Sequence, residues 1–193
     1  AIAAEQGKLQ RMQQAALSEK RAIESEQVNR REVLRKLNIE LKAQGNELAS
    51  LRNDEKQLQS LLQGLQEALA DIPSDPLLEK SFAQLKGALR WPSKGVIRHA
   101  YGEPKIGKLR WDGVMISAPE GNEIRAVHPG RVAFADWLRG FGLLLIVDHG
   151  EGYMTLYGHN QSLFKEAGDW VEAGEPVAVI GSTGGRKEPG VYF

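Results

Sequence analysis

The sequence predicts an α+β chain in three parts: a long N-terminal coiled-coil helix over residues 1–70, a short linker helix within 71–90, and a mainly antiparallel β domain over 91–193. Three observations carry this reading. A heptad seam runs through the first part, two prolines interrupt it, and beyond Trp91 the chain turns to short apolar strands separated by glycines.

The seam is read by counting in sevens. Leu9, Ala16, Ile23, Arg30, Leu37, Gln44, Leu51, Leu58 and Leu65 form one series, and Leu34, Leu41, Leu48, Glu55, Leu62 and Leu69 form its companion. Two apolar positions per heptad are the pattern of a coiled coil. The flanks are rich in Glu, Lys, Arg and Gln, good helix formers, with little Gly and no Pro. Arg30, Gln44 and Glu55 interrupt the stripe, as polar register-setting positions do. Such a stripe must bury against another helix, because alone it faces water. The pairing helix is expected from a further N-terminal arm or from another subunit, since both chain ends read as cut: Ala1 lies inside a helical pattern and Phe193 ends an apolar strand.

Asp71-Ile72-Pro73-Ser74-Asp75-Pro76 ends the long helix, because each proline removes a donor and drives its predecessor to extended geometry. Ser74 or Asp75 can cap a second helix with Pro76 at its first position. Leu77, Leu78, Phe82, Leu85 and Leu89 would form its apolar stripe, ending near Gly87 to Arg90. Then strands are expected at 131–137, 143–148 and 153–157, joined by Arg139-Gly140 and Gly150-Glu151-Gly152 as an antiparallel meander. A turn at 171–176 leads to a strand at 177–180.

Composition removes several classes. Lys+Arg and Asp+Glu are each 25, so the formal charge is zero and bulk charge does not recruit nucleic acid or acidic polymers. There is no cysteine, hence no disulfide, thiolate metal site or thiol nucleophile. No apolar run reaches the roughly 18–20 residues of a membrane span, and the first residues lack the charged start and apolar core of a signal peptide.

The β region carries an ordered set of short motifs. Arg110-Trp111-Asp112-Gly113-Val114-Met115-Ile116-Ser117-Ala118-Pro119 is followed by a Gly-Arg-Val strand, Val147-Asp148-His149-Gly150, Tyr157-Gly158-His159, Ala173-Gly174-Glu175-Pro176, Gly181-Ser182-Thr183-Gly184 and Pro189-Gly190-Val191-Tyr192-Phe193. In this order the stretch 92–193 resembles the LytM-type zinc endopeptidases, which cut peptide cross-links in bacterial cell walls. The resemblance implies the fold of that family, a duplicated-hybrid-motif type of β domain. It also places Trp111 where the family has a ligand His, Met115 at its ligand Asp, Tyr192 at its third ligand and Gly190 at a catalytic His, while His159 matches a retained catalytic position. Zinc catalysis takes about three N, O or S ligands and a bound water, and a lone imidazole does not provide them. The expectation is therefore a degenerate, non-catalytic domain with no cofactor and no metal.

With a coiled coil and a linker helix in front, the chain is similar to murein hydrolase activators. That likeness implies a periplasmic protein of a Gram-negative cell, recruited to the division site by the FtsE–FtsX membrane complex through the coil. Its partners would be periplasmic zinc N-acetylmuramoyl-L-alanine amidases, and its linker helix would block the groove until released. The groove that would grip the amidase is expected to be lined by Arg110, Trp111, Met115, Tyr157, His159 and Tyr192, with Arg186 or Lys187 at the rim. Leu77, Leu78, Phe82, Leu85 and Leu89 would form the regulatory helix. Aromatic and Arg residues are frequent interface anchors and Met adapts to irregular partners. For Trp111 and Met115 the alternative is core filling of an empty metal cavity. His99, His128 and His149 are read as structural imidazoles beside turns and strands. Two rival functions stand beside activation: a divergent zinc endopeptidase using His159, and a module that grips peptidoglycan without an amidase.

Overall fold

The heptad region is one helix, α1, spanning Ile2–Leu69. The computed structural model describes residues 2–69 and 81–193, and the chain divides into two compact units, Ala1–Ala49 and Ser50–Phe193. In the first unit Leu34, Leu37 and Leu41 of the seam face water, as do Leu17, Val33 and Ile39 outside it. In the second, Leu51, Leu58, Leu62, Leu65 and Leu69 of the same series are half-buried.

The expected linker α-helix is not formed over its described part. Residues 81–90 contain a single 3-10 turn, Phe82–Leu85, whose Ser81 cap makes no side-chain hydrogen bond, and Gly87 at φ +83° takes the chain out of helical geometry one turn later. Leu77 and Leu78 lie outside the described residues. The side chain of Phe82 finds aromatic partners instead of a helical stripe. Its ring stacks on His149 at 4.8 Å and on Tyr153 at 5.3 Å, and meets His128 edge-on at 5.4 Å.

Nine strands follow: β1 (Val96–His99), β2 (Met115–Ser117), β3 (Glu123–Arg125), β4 (Gly130–Leu138), β5 (Gly142–Asp148), β6 (Met154–Leu163), β7 (Trp170–Val171), β8 (Pro176–Ile180) and β9 (Gly190–Tyr192). All pairs are antiparallel, in the order β1-β2-β9-β6-β5-β4-β7, with β8 joining β3 to β6. The meander β4-β5-β6 is as expected, and β6 runs longer than its apolar run indicated. Leu144, Leu145, Ile146 and Val147 of β5 have no exposed surface, because a strand with neighbours on both sides and cover on both faces reads as a continuous apolar run. The core joins them to Ile116, Ile124, Val177, Ile180 and Val191.

Candidate functional site

The residues that sequence pattern grouped around His159 do meet, with two changes of role. β2 and β9 pair with Met115 opposite Tyr192 and Ile116 opposite Val191. β9 also reaches β6, where Tyr192 is opposite Gly158. Trp111 precedes β2 and its ring lies 6.3 Å from that of Tyr192, while Phe141 approaches Tyr192 from the β4–β5 turn at 5.5 Å. Gly113 is required here, since a Cβ on it would come within 2.7 Å of the Tyr192 ring. The result is an aromatic wall of Trp111, Tyr192 and Phe141.

His159 occupies the floor in an unusual backbone state. Its φ is +65°, the left-handed region that non-glycine residues rarely adopt. Its N–H donates to Phe141 O at 2.7 Å, and Nδ1 lies 2.9 Å from Thr183 O. A carbonyl can only accept, so Nδ1 carries the proton and Nε2 keeps its lone pair. The next residue, Asn160, locks the bulge: its Nδ2 donates to Leu143 O at 2.8 Å and to Tyr157 O at 2.5 Å, while Thr183 Oγ1 donates to Asn160 O at 2.8 Å. Strain of this kind persists where surrounding bonds over-determine it. Burial, with Arg186 and Lys105 nearby, lowers the His159 pKa to about 4 despite the bond to Thr183, so the ring is neutral near pH 7.

Met115 and Tyr157 are not groove walls, contrary to the sequence reading. Both side chains are wholly buried. Tyr157 packs against Phe193 in the core, and its hydroxyl accepts the Val127 N–H at 3.2 Å and lies 3.0 Å from Thr155 Oγ1. Met115 is the core filler that the sequence left as an alternative. Trp111 and Tyr192 remain partly accessible, and Arg110 is exposed with Nη1 donating to Gly102 O at 2.7 Å. Arg186 is half-buried and Lys187 exposed.

Several residues of this region were missed. His99 stacks flat on Trp111 at 4.5 Å, and Lys105 Nζ lies 4.4 Å from the centre of the Trp111 ring, a cation–π contact. The turn of α1 from Ser50 to Glu55 is also here. Asp54 pairs with Arg139 (3.2 Å), whose Nη2 also donates to Ser50 Oγ at 3.0 Å. One turn of helix therefore sits on the β4–β5 turn. Glu55 reaches Asp112: the hydrogen bond between the two carboxyls, then burial and their repulsion, raises the Glu55 pKa. Burial lowers that of Lys105 against the pull of Glu55, Asp112 and Asp54. Burial, Asp112 and Glu55 push the Tyr192 phenol up to about 12, so it stays protonated. One sequence signal pointed this way: Glu55 is a polar intruder in the heptad seam.

Phe82 marks the opposite end. His149 and Phe141 flank β5, eight residues apart, which is about 26 Å along a strand. Of the expected regulatory stripe, Phe82 therefore docks far from the Trp111–Tyr192 wall, and Leu85 and Leu89 are half-buried beside it in sequence. His149 is the satisfied structural imidazole expected. Its Nδ1 donates to Pro129 O at 2.8 Å, and Nε2 lies 2.8 Å from Thr155 Oγ1.

A metal fits this donor set poorly. At the positions where the resembled family has its ligands stand the Trp111 indole, the buried Met115 thioether and the protonated Tyr192 phenol, and His159 offers one unprotonated nitrogen. Among the described residues no three His, Cys, Asp or Glu side chains converge as a metal site.

Residues 109–193 match peptidase family M23. The chain is 49% identical to the murein hydrolase activator EnvC of Escherichia coli over 108 residues, covering 56% of this chain and 26% of that protein. It is 34% identical to the cell division protein DipM of Caulobacter vibrioides over 126 residues, 65% of this chain and 20% of that protein. The chain thus spans about a quarter of EnvC and a fifth of DipM. Among solved structures, a putative M23 peptidase from Pseudomonas aeruginosa superposes with a TM-score of 0.54 at 20% identity, over 74% of this chain and 54% of that one. That likeness concerns the fold.

Proposed function

We propose that this chain, whose residues 109–193 match peptidase family M23, is a non-catalytic activator of cell-wall hydrolases in the bacterial envelope, the zinc N-acetylmuramoyl-L-alanine amidases. It would bind the amidase through the Trp111–Tyr192–Phe141 wall and His159. One observation carries this reading: Trp111 and Tyr192, which stand where the resembled zinc peptidases have ligands, present partly exposed aromatic rings 6.3 Å apart, while Met115 opposite Tyr192 is buried. Neutral His159 Nε2 supplies an acceptor at the floor of the wall. Two relatives named murein hydrolase activators, EnvC and NlpD, support the assignment.

The regulation we propose differs from the one the sequence implied. Asp54 and Glu55 of α1, and not Phe82 of the linker segment, lie against the rim beside Arg139, Asp112 and Lys105. This turn of helix would restrict the wall until a membrane complex such as FtsE–FtsX, acting on the exposed seam of α1, draws it away. A ligand opens such a state only by favouring it over the closed one. The test is dye release from labelled sacculi by a purified amidase, with and without the chain, alongside elemental analysis. Stimulation of the amidase, no release by the chain alone and no stoichiometric zinc is the expected result. Zinc-dependent release by the chain alone would replace activation with hydrolysis.

A further inference from the structure

The edge of the sheet furthest from β7 carries an unusual surface. β1 is the last strand of its sheet and pairs on one side only, with β2. Its consecutive Val96 and Ile97 are 66% and 47% exposed, and Trp91 and Tyr101 at its two ends are 56% and 75% exposed. Edge strands are ordinarily blunted, because unpaired N–H and C=O groups invite another strand. Here the edge is apolar on both faces.

Charge along the segment that leads into β1 is of one sign, with Glu103 beyond the strand engaged by His99 and the Ala100 N–H. From Ser81 to Gly102 the chain carries Lys86, Arg90, Lys94 and Arg98, all exposed, and no Asp or Glu. In a protein of zero formal charge this is a local basic segment. Beside the strand opens a cleft of about 690 Å³, whose apolar wall is Trp91, Ile97 and Ile116 and whose cations are Lys94 and Arg125. Glu123 also lines it, but that carboxylate is ion-paired with Arg125. Ile97 and Ile116 are register partners and both line the cleft, whereas Val96, one residue before Ile97, points to the other face and Arg98 stands at the irregular step between Ile97 and His99.

We propose that β1 accepts an extended, acidic segment of another protein as an added strand. Main-chain bonds to the open edge would supply affinity, and the cleft would select alternate apolar side chains. The lining states the chemistry: apolar side chains over Trp91 and Ile97 in the cleft, acidic side chains near Lys94 and Arg98. A second copy of this chain does not suit the site. Antiparallel pairing of two β1 edges brings Lys94 and Arg98 against the same cations, and like charges across strands repel. The site is distinct from the Trp111–Tyr192 wall and does not depend on its role.

The experiment uses the full chain and a synthetic probe, acetyl-Glu-Val-Asp-Phe-Glu-Val-Asp-amide, with a control in which Lys replaces each acid. Amide hydrogen exchange across 96–99 and calorimetric affinity are measured for wild type, for K94E/R98E and, as a groove control, for Y192A. Protection of β1 amides by the acidic probe, affinity lost by at least about tenfold in K94E/R98E, a reversed preference for the Lys probe in that variant, and no change in Y192A are expected. Unchanged exchange at β1 with saturating probe overturns the proposal. So does binding to phosphatidylglycerol vesicles through Lys94 and Arg98 without probe binding, which makes the edge a membrane contact. A concentration-dependent dimer that V96D dissolves would make it a self-contact and also overturn it.

Discussion

Asp54 and Gly140 are fitted to each other. A Cβ on Gly140 would come within 2.8 Å of the Asp54 carboxyl, so the helix approaches the β4–β5 turn as closely as it does only because that residue has no side chain. Gly140 also has φ +82°, which an L-residue adopts at a cost. Asp54 is then neutralised by Arg139, the neighbour of that glycine.

Reversing one member of this pair should unseat the helix. R139D places a second carboxylate against buried Asp54, and removing one partner of a buried charge costs several kcal/mol, about 3–5 where burial is complete. Arg139 is itself 63% exposed, so a smaller penalty is expected. Amidase affinity and basal stimulation should both rise in R139D. The exchange D54R/R139D should return them toward wild type, and equal affinity in all three proteins would dissociate this contact from regulation.

The Glu55–Asp112 contact gives the same docking a pH dependence. Its sign follows from the direction of the shift. Glu55 is raised in the docked state, so docking takes up a proton. The contact is favoured below the ordinary value of 4.5 and weakens as pH rises through the raised one. E55Q removes the repulsion without the proton, and basal stimulation at neutral pH should fall below wild type and lose its pH dependence. Stimulation assays from pH 5 to 8 would check this.

The contact wall and the core behind it respond differently to truncation. W111A and Y192A should each weaken amidase binding by about 1–4 kcal/mol, the range for aromatic anchors, while circular dichroism stays native. Y157F removes a hydroxyl that satisfies Val127 N–H. Leaving that buried donor unpaired should lower stability by about 1–3 kcal/mol with affinity unchanged in the folded fraction. Calorimetry and denaturant melts on the same samples separate the two effects.

What the sequence revealed divides by range. Heptads and the glycine turns between β4, β5 and β6 are local signals, and they became the expected helix and meander. Phe82 was read by its spacing to Leu78 and Leu85, yet its ring is settled by His149, distant in sequence. Tyr157 was grouped with His159 because residues two apart share a strand face. The left-handed backbone at His159 and the irregular register at Asn160 break that rule. The motif strings at 110–119, 157–159 and 189–193 fall on or beside β2, β6 and β9, which pair with one another in the sheet. They carried no information on Asp54, whose partner lies on a different element.

The last prediction concerns His149 and acid stability. Nδ1 must donate to Pro129 O, so the neutral ring accepts at Nε2 from the Thr155 hydroxyl, whose oxygen then accepts from Tyr157. Protonating the ring puts a donor against that hydroxyl and a charge into a site 5% exposed. Burial and neighbouring His128 accordingly lower the His149 pKa to about 4, with the Pro129 bond opposing. The unfolded chain binds a proton near 6.5, so between those values it holds more protons than the native state. Stability is complete above about pH 6.5 and declines as pH falls toward 4, by on the order of 3 kcal/mol from this residue. The Phe82 ring stacked on His149 should loosen over the same window. Thermal melts of wild type and H149Q from pH 7.5 to 4.5 test this: wild type should lose several degrees more than H149Q, and parallel losses would assign the acid sensitivity to other groups.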